Sequence, residues 1–283
     1  MKSRPYFPVL VLCLLLFAPG LVQGEKLPTR DISSEIAAEH DGIAVWWVGN
    51  IGWLIKSGDM LISFDLDLDS KNRKYEAPVP TGTLAGELDI SFVTHDHGDH
   101  FGRETSRRLV KESGCAFVIP ESCRRTAEQV GIPKDRLTIA RPGEPFRIKG
   151  IKVQPLRALH GGKYFALDRD SNFQDCGYVL DLGGKKILQP GDTVLLEDHL
   201  DLEEVDVLFV SPTEHNMHIT QSTILINQLN PEHVFPQHFD TYEMTAQNMF
   251  WTKGYPDEVR TMLPPAMQTR YHKLKQGELF LIK

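Results

Sequence analysis

The segment Thr94-His95-Asp96-His97-Gly98-Asp99-His100 places four groups able to bind a metal, His95, His97, Asp99 and His100, within six residues. Imidazole and carboxylate together suit zinc, manganese or iron, and their alternation lets neighbours face two different ions. The chain holds 11 histidines, so three of them in one short loop is far above chance. A loop this short cannot surround two ions, so further ligands must come from elsewhere. His160, Asp192 in Gly191-Asp192-Thr193 and His238 are candidates, because each follows a strand-like run. Taken singly, each is a weak signal, because a lone His after a strand is more often a surface or hydrogen-bonded residue than a ligand. Their shared place at strand ends, where an α/β scaffold carries its functional loops, favours the ligand reading.

Other polar groups leave two readings open. His215 and His218, in residues 211–220, either face the site and contact substrate or are plain loop histidines. The loop 161–174, with Lys163, Tyr164 and Arg169, has charge suited to an anionic substrate if it overhangs the pocket, but a solvated loop is the default reading. The lysines and arginine of residues 71–74 and the pair Lys185-Lys186 read as solvated charge.

These residues need a scaffold. Short apolar runs at 43–48, 52–55 and 60–64, broken by Gly49-Asn50 and Gly58-Asp59, predict strands joined by hairpins. Residues 89–93 predict a strand that ends in the histidine cluster, and 104–112 and 121–130 predict helices. Strands follow at 137–139, 146–148, 151–156, 177–182 and 186–189, the last two flanking Gly183-Gly184. The final third alternates: strands at 205–210 and 233–236, a helix capped by Thr220 and running to Leu229, and helices at 242–252 and 258–262. This order fits two mixed sheets packed face to face with helices outside, although periodicity alone allows other α/β arrangements.

The order His-x-His-x-Asp-His, a separate His, Gly-Asp-Thr and a last His resembles the metallo-β-lactamase superfamily, over nearly the whole chain from about Val45 to His238. The stretches 47–52, 175–178 and 235–239 are most similar to its ascorbate-6-phosphate lactonase-like metal-dependent hydrolases. The resemblance implies an αββα sandwich of two mixed β-sheets with helices on the outer faces. It implies one divalent metal ion held by His95, His97 and His160, a second held by Asp99, His100 and His238, and Asp192 bridging them. Zinc is the first expectation and manganese the second. Such a pair lowers the pKa of a shared water and polarises the bond under attack, with Asp99 guiding the proton. The implied reaction is hydrolysis of an ester, lactone or phosphodiester in a small-molecule substrate. A glyoxalase-II-like thioesterase, a β-lactamase and a catalytically silent metal-binding protein are the alternatives. Iron-and-flavin relatives usually carry Glu at the position of His97, which argues against a redox role.

Lys2 and Arg4 precede an apolar run at 9–18 and the small-residue end Val22-Gln23-Gly24. This is the order of a secretory signal peptide, and the run is about half the ~20 residues that a membrane-spanning helix needs. The expectation is a leader at 1–24, a single domain at 25–283, a periplasmic or secreted protein, and no stable membrane insertion after cleavage. Loss of residues 1–24 removes two positive charges and no negative ones, taking the formal net charge from −7 to −9. That balance argues against a nucleic-acid partner, whose binding relies on neutralised phosphates. Of the three cysteines beyond the leader, Cys115 and Cys123 could pair across the turn at Pro120, while Cys176 reads as a small core residue.

Overall fold

The computed structural model describes residues 26–283; the expected leader lies outside the described residues. The first half of the chain builds β1 (Ile43–Gly49), β2 (Gly52–Ser57), β3 (Met60–Phe64), β4 (Ile90–Phe92), β5 (Ala116–Pro120) and β6 (Leu137–Ala140). The second half builds β7 (Phe146–Ile148), β8 (Ile151–Arg157), β9 (Cys176–Leu182), β10 (Lys185–Gln189), β11 (Val207–Val210) and β12 (His233–Pro236), and β13 (Leu279–Ile282) returns to the first sheet. Among the described residues the first sheet runs β13-β1-β2-β3-β4-β5-β6 and the second β12-β11-β10-β9-β8-β7. Short hairpin turns join the antiparallel strands β1–β3, β7–β8 and β9–β10, β8 and β9 pair antiparallel across the long 158–175 loop, and β3–β6 and β10–β12, joined by helical crossovers, are parallel.

Side-chain alternation sorts the core into layers. Val45, Trp47, Trp53, Ile55 and Phe64 from the first sheet meet Tyr178, Leu180, Phe209 and Phe235 from the second. The intervening residues Trp46, Leu54 and Leu61 belong to an outer layer shared with Ile36, Leu109, Ala127 and Val130 of the helices Ser33–Ala38, Arg103–Glu112 and Arg124–Val130, and Trp46 donates its indole N–H to Glu35 at 2.9 Å. On the other outer face Val179, Leu208 and Val210 pack on the helices His218–Leu229 and Pro256–Met262. Burying each such aromatic or branched side chain contributes roughly 1.5–3 kcal/mol, so this double-sided pattern binds four layers into an αββα sandwich. Tyr178 ties the two sheets directly, its hydroxyl donating to the Val93 carbonyl at 2.7 Å.

Some local expectations are corrected. The helix through Leu229 starts at His218, so Thr220 lies inside it rather than capping it. Within 242–252 only Met249–Thr252 is helical, because Tyr242 instead forms a β-bridge with Arg73. Arg73 is not solvated charge: it is buried, and its guanidinium donates to the Val48 carbonyl at 2.7 Å. Cys115, Cys123 and Cys176 are all buried and free, so the proposed pair is not formed.

Candidate metal centre

Strands β8, β10, β11 and β12 share one direction, and their carboxyl ends carry His160, Asp192, the 211–217 loop and His238. From the first sheet, Asp65 directly follows β3 and His95 follows β4 after Val93 and Thr94. After β4 the chain folds into a tight turn in which the His97 carbonyl accepts from the backbone N–H of His100 at 3.1 Å and of Phe101 at 2.8 Å. The fully buried Phe101 anchors that turn. Gly191 precedes Asp192 with φ +71°, and a Cβ there would lie 2.8 Å from Thr94 Cβ. Glycine alone lets the two ligand-bearing loops touch.

The loops converge on Asp192. Its Oδ2 lies 2.7 Å from His215 Nε2, 3.1 Å from His238 Nε2, 3.4 Å from His100 Nε2 and 3.6 Å from His160 Nε2. Ligand atoms of His95, His97 and His160 lie within 4.8 Å of one another, and so do those of Asp99, His100 and His238. Asp192 joins His95 and His100 in a third such group, and His160 and His215 in a fourth. All seven residues singled out as ligands in the sequence therefore meet in one place. Of the two residues with an open role, His215 is brought to the centre and His218 is not; the His218 ring packs 5.2 Å from Phe165 and 4.8 Å from Tyr255.

Two positioning residues escaped the sequence. Asp65 Oδ2 accepts from His100 Nδ1 at 2.9 Å while its Oδ1 accepts from the Thr94 N–H at 2.8 Å. Asn50 donates its amide to Asp99 Oδ2 at 3.0 Å and accepts the His238 N–H on its carbonyl at 2.8 Å. Asn50 thus fixes a carboxylate and a histidine that are far apart in the chain. On the other side His160 Nδ1 lies 2.6 Å from the Gly161 carbonyl, which turns its Nε2 inward.

The electrostatics follow from placing acids and imidazoles out of water. Burial opposes charge on His100, but Asp192, Asp99 and Asp65 outweigh it and raise its pKa well above the usual histidine value. Burial, reinforced by His100 and His160, holds His95 well below that value. Burial also lowers His160, to about 4. Burial opposes ionisation of Asp192, yet His238, His100 and His215 pull its pKa well below the ordinary carboxylate range. Asp99 is likewise lowered, with burial outweighed by His100 and His238.

This donor set fits metal ions. His95 Nε2, His160 Nε2 and Asp192 Oδ1 are buried with no hydrogen-bond partner, and His238 Nε2, near as it is to Asp192, lacks hydrogen-bond alignment as well. Buried polar atoms are normally satisfied, and such orphans mark an ion or a functional group. Unpartnered imidazole nitrogens converging with carboxylate oxygens are what a divalent cation of the zinc or manganese type takes.

The loop after His160 takes the solvated reading for Lys163, Tyr164 and Arg169, which are all exposed. Its residues that line the space beside His97 and His160 are Asp168, Asp170 and Asn172, so it contributes negative rather than positive charge there. Lys163 and Arg169 do not line that space.

Comparison with known proteins identifies the family. Residues 63–239 match the family model described as the beta-lactamase superfamily domain. A UPF0173 metal-dependent hydrolase of Desulforamulus reducens is 26% identical over 217 residues, covering 72% of this chain and 90% of that protein. Its counterpart in Korarchaeum cryptofilum is 29% identical over 215 residues, covering 72% and 86%. The solved structure of Igni18, a metallo hydrolase from Ignicoccus hospitalis, shares the fold with a TM-score of 0.65 at 18% identity, covering 85% of this chain and 99% of that one. The matched region runs from β3 to the loop that carries His238, spanning both sheets and every candidate ligand, and the chain belongs to the metallo-β-lactamase superfamily.

Proposed function

We propose that this protein is a hydrolase that binds two divalent cations, zinc before manganese, and cleaves an ester, lactone or phosphodiester bond. The observation that carries the reading is the position of Asp192 Oδ2, within 3.6 Å of the Nε2 atoms of His100, His160, His215 and His238. His95, His97 and His160 would hold one ion, and Asp99, His100 and His238 the other, with Asp192 shared. Bound divalent ions lower the pKa of water and polarise the bond under attack. Asp99, steadied by the Asn50 amide, accepts the proton of the attacking water. His215, donating to Asp192 Oδ2, holds that carboxylate in its shared position. The UPF0173 relatives are named as metal-dependent hydrolases, which agrees with this role. The test is metal analysis of the purified protein together with a panel of lactones, phosphodiesters, thioesters and β-lactams. Two equivalents of metal, with turnover abolished by chelation and restored by zinc or manganese, is the expected result. Metal binding of one equivalent or none would overturn the two-ion reading.

A further inference from the structure

Two clefts open onto the His–Asp cluster, and their charges are opposite. On the side of Asp99 lies a groove of about 920 Å³ whose walls set Lys26, Lys71, Arg73, Lys74 and Arg103 against Asp67, Asp99 and Glu243, an excess of cations. On the side of His97 and His160 lies a cavity of about 260 Å³ lined by Asp96, Asp168, Asp170 and Asp175, with no Lys or Arg. The groove also has an aromatic wall: the Trp251 ring stands 5.6 Å from Tyr242 and 6.3 Å from His238, joining the groove to the centre.

Arg73 gives the groove a specific chemistry. It is 3% exposed, and its guanidinium donates to the Val48 and Asp67 carbonyls and to Gln276 Oε1. These partners are dipoles, not charges. Among the described residues no carboxylate lies within ion-pair distance of it, and its buried Nε has no partner at all. Asp67 and Asp69 act on it through space without pairing with it; a buried cation left without a direct ion pair is costly, by several kcal/mol before relaxation, and planar guanidinium donors match carboxylate and phosphate oxygens. Arg103, pairing with Asp96 at 3.6 Å, adds a half-exposed cation where the groove meets the histidine loop.

We propose that the substrate carries an acidic group and lies across the centre with that group in the groove, between Arg73 and Arg103, and its scissile bond over Asp99 and Asp192. The aspartate cavity opposite repels the acidic end and receives the part of the molecule without negative charge. The proposal rests on the hydrolase reading above and adds the class and the orientation of its substrate.

The test compares two esters on the metal-loaded protein: mono-para-nitrophenyl adipate, which keeps a free carboxylate, and neutral para-nitrophenyl hexanoate. In both, water adds to the ester carbonyl and para-nitrophenolate leaves, so the readout is shared. The expected result is a kcat/KM ratio, adipate over hexanoate, that falls about tenfold or more in Arg103→Glu and in Arg73→Gln, a change of about 1.4 kcal/mol. Arg103→Lys should keep most of the ratio. A ratio that Arg103→Glu leaves unchanged overturns the proposal, and this variant decides alone if Arg73→Gln does not fold. Turnover of neither ester would count against the hydrolase reading instead. Calorimetric binding of monomethyl adipate against dimethyl adipate then decides the inference: preference for the monoanion, lost in Arg103→Glu, supports it, and equal binding overturns it.

Discussion

Asp65 Oδ2 stands 2.9 Å from His100 Nδ1, and this contact sets which face of the imidazole meets the centre. With Nδ1–H donated to Asp65, the opposite nitrogen of His100 faces Asp192 at 3.4 Å and Asp99 at 3.8 Å. A carboxylate behind a ligating histidine fixes its tautomer and raises its basicity, and losing such a partner typically costs about 10–100-fold in metal affinity. Asp65→Asn should therefore weaken metal binding by about that factor while keeping the fold. Asn tolerates the left-handed backbone of Asp65, φ +45°, better than other side chains do. Competition titration with a chromophoric chelator measures the affinity. An Asp65→Asn protein that binds metal as tightly as its parent would remove Asp65 from the positioning role.

Gly161 tests how closely the His160 and His215 loops must approach. A Cβ at Gly161 would stand 1.9 Å from the His215 carbonyl oxygen, a backbone atom with no freedom to swing away. Gly161→Ala should push the two loops apart, costing about 1–3 kcal/mol of stability and most of the turnover. Gly114→Ala is the control, since nothing lies within 4 Å of its added Cβ. Thermal melts and turnover of both variants distinguish a local clash from a general loss of backbone freedom. Equal behaviour of the two would contradict the close-approach argument.

Chemistry packed into one loop is legible, and chemistry spread over the fold is not. The His95–His100 cluster announced itself by spacing, and His160, Asp192 and His238 by their common place after strands, which the parallel run β10–β12 and β8, pointing the same way beyond β9, bring to one end of the sheet. The two sheets followed from alternating apolar runs and glycine-marked hairpins. Asp65 stayed hidden because it is one of three acids alternating with leucines in Asp65-Leu66-Asp67-Leu68-Asp69. Only its left-handed backbone selects which carboxylate turns toward His100. Asn50 read as a turn residue, and its bond to Asp99 joins positions 49 apart in the chain. Arg73 looked like surface charge because its neighbours are Lys71 and Lys74; the β-bridge to Tyr242 that buries it is a tertiary event.

Stability should carry a pH signature from Asp67. Burial raises its pKa to about 6, against a lowering contribution from the Tyr242 hydrogen bond at 2.9 Å. The folded state thus holds this proton more tightly than the unfolded chain, whose carboxyl titrates at 3.8. Between those values the unfolded state loses its proton first, so this group makes stability fall as pH rises. Asp67→Asn, which can still accept from Tyr242, removes the effect. It should raise stability at neutral pH by an amount on the order of 2 kcal/mol and leave it little changed below about pH 4. Denaturant unfolding of parent and variant across that range gives the difference directly. A gain that is constant with pH would show that Asp67 does not titrate differently in the two states.

Asp192 is the sharpest test of the centre, because two readings of the same residue predict different behaviour for its closest substitute. As a shared ligand, its carboxylate must offer anionic oxygen to both ions and keep them at a fixed spacing. Asp192→Ala should then fold, retain the ion held by His95, His97 and His160, lose the other, and turn over almost nothing. As a mere turn residue in Gly191-Asp192-Thr193, Asp192 would be replaceable by Asn, which serves turns as well. The surroundings of the carboxylate are those of a convergent donor, not of a solvated turn. Asp192 is 2% exposed, its Oδ2 sits among four imidazole nitrogens, and its Oδ1 is buried without a partner. An amide there either turns an NH2 donor toward that cluster or presents a neutral oxygen that cannot balance two cations. Asp192→Asn should therefore resemble Asp192→Ala, with metal stoichiometry reduced from two toward one and kcat reduced at least about 100-fold, the scale of losing a central electrostatic contact. Elemental analysis and turnover of both variants read the two quantities independently. Two bound metals and full activity in Asp192→Asn would sink the shared-ligand assignment.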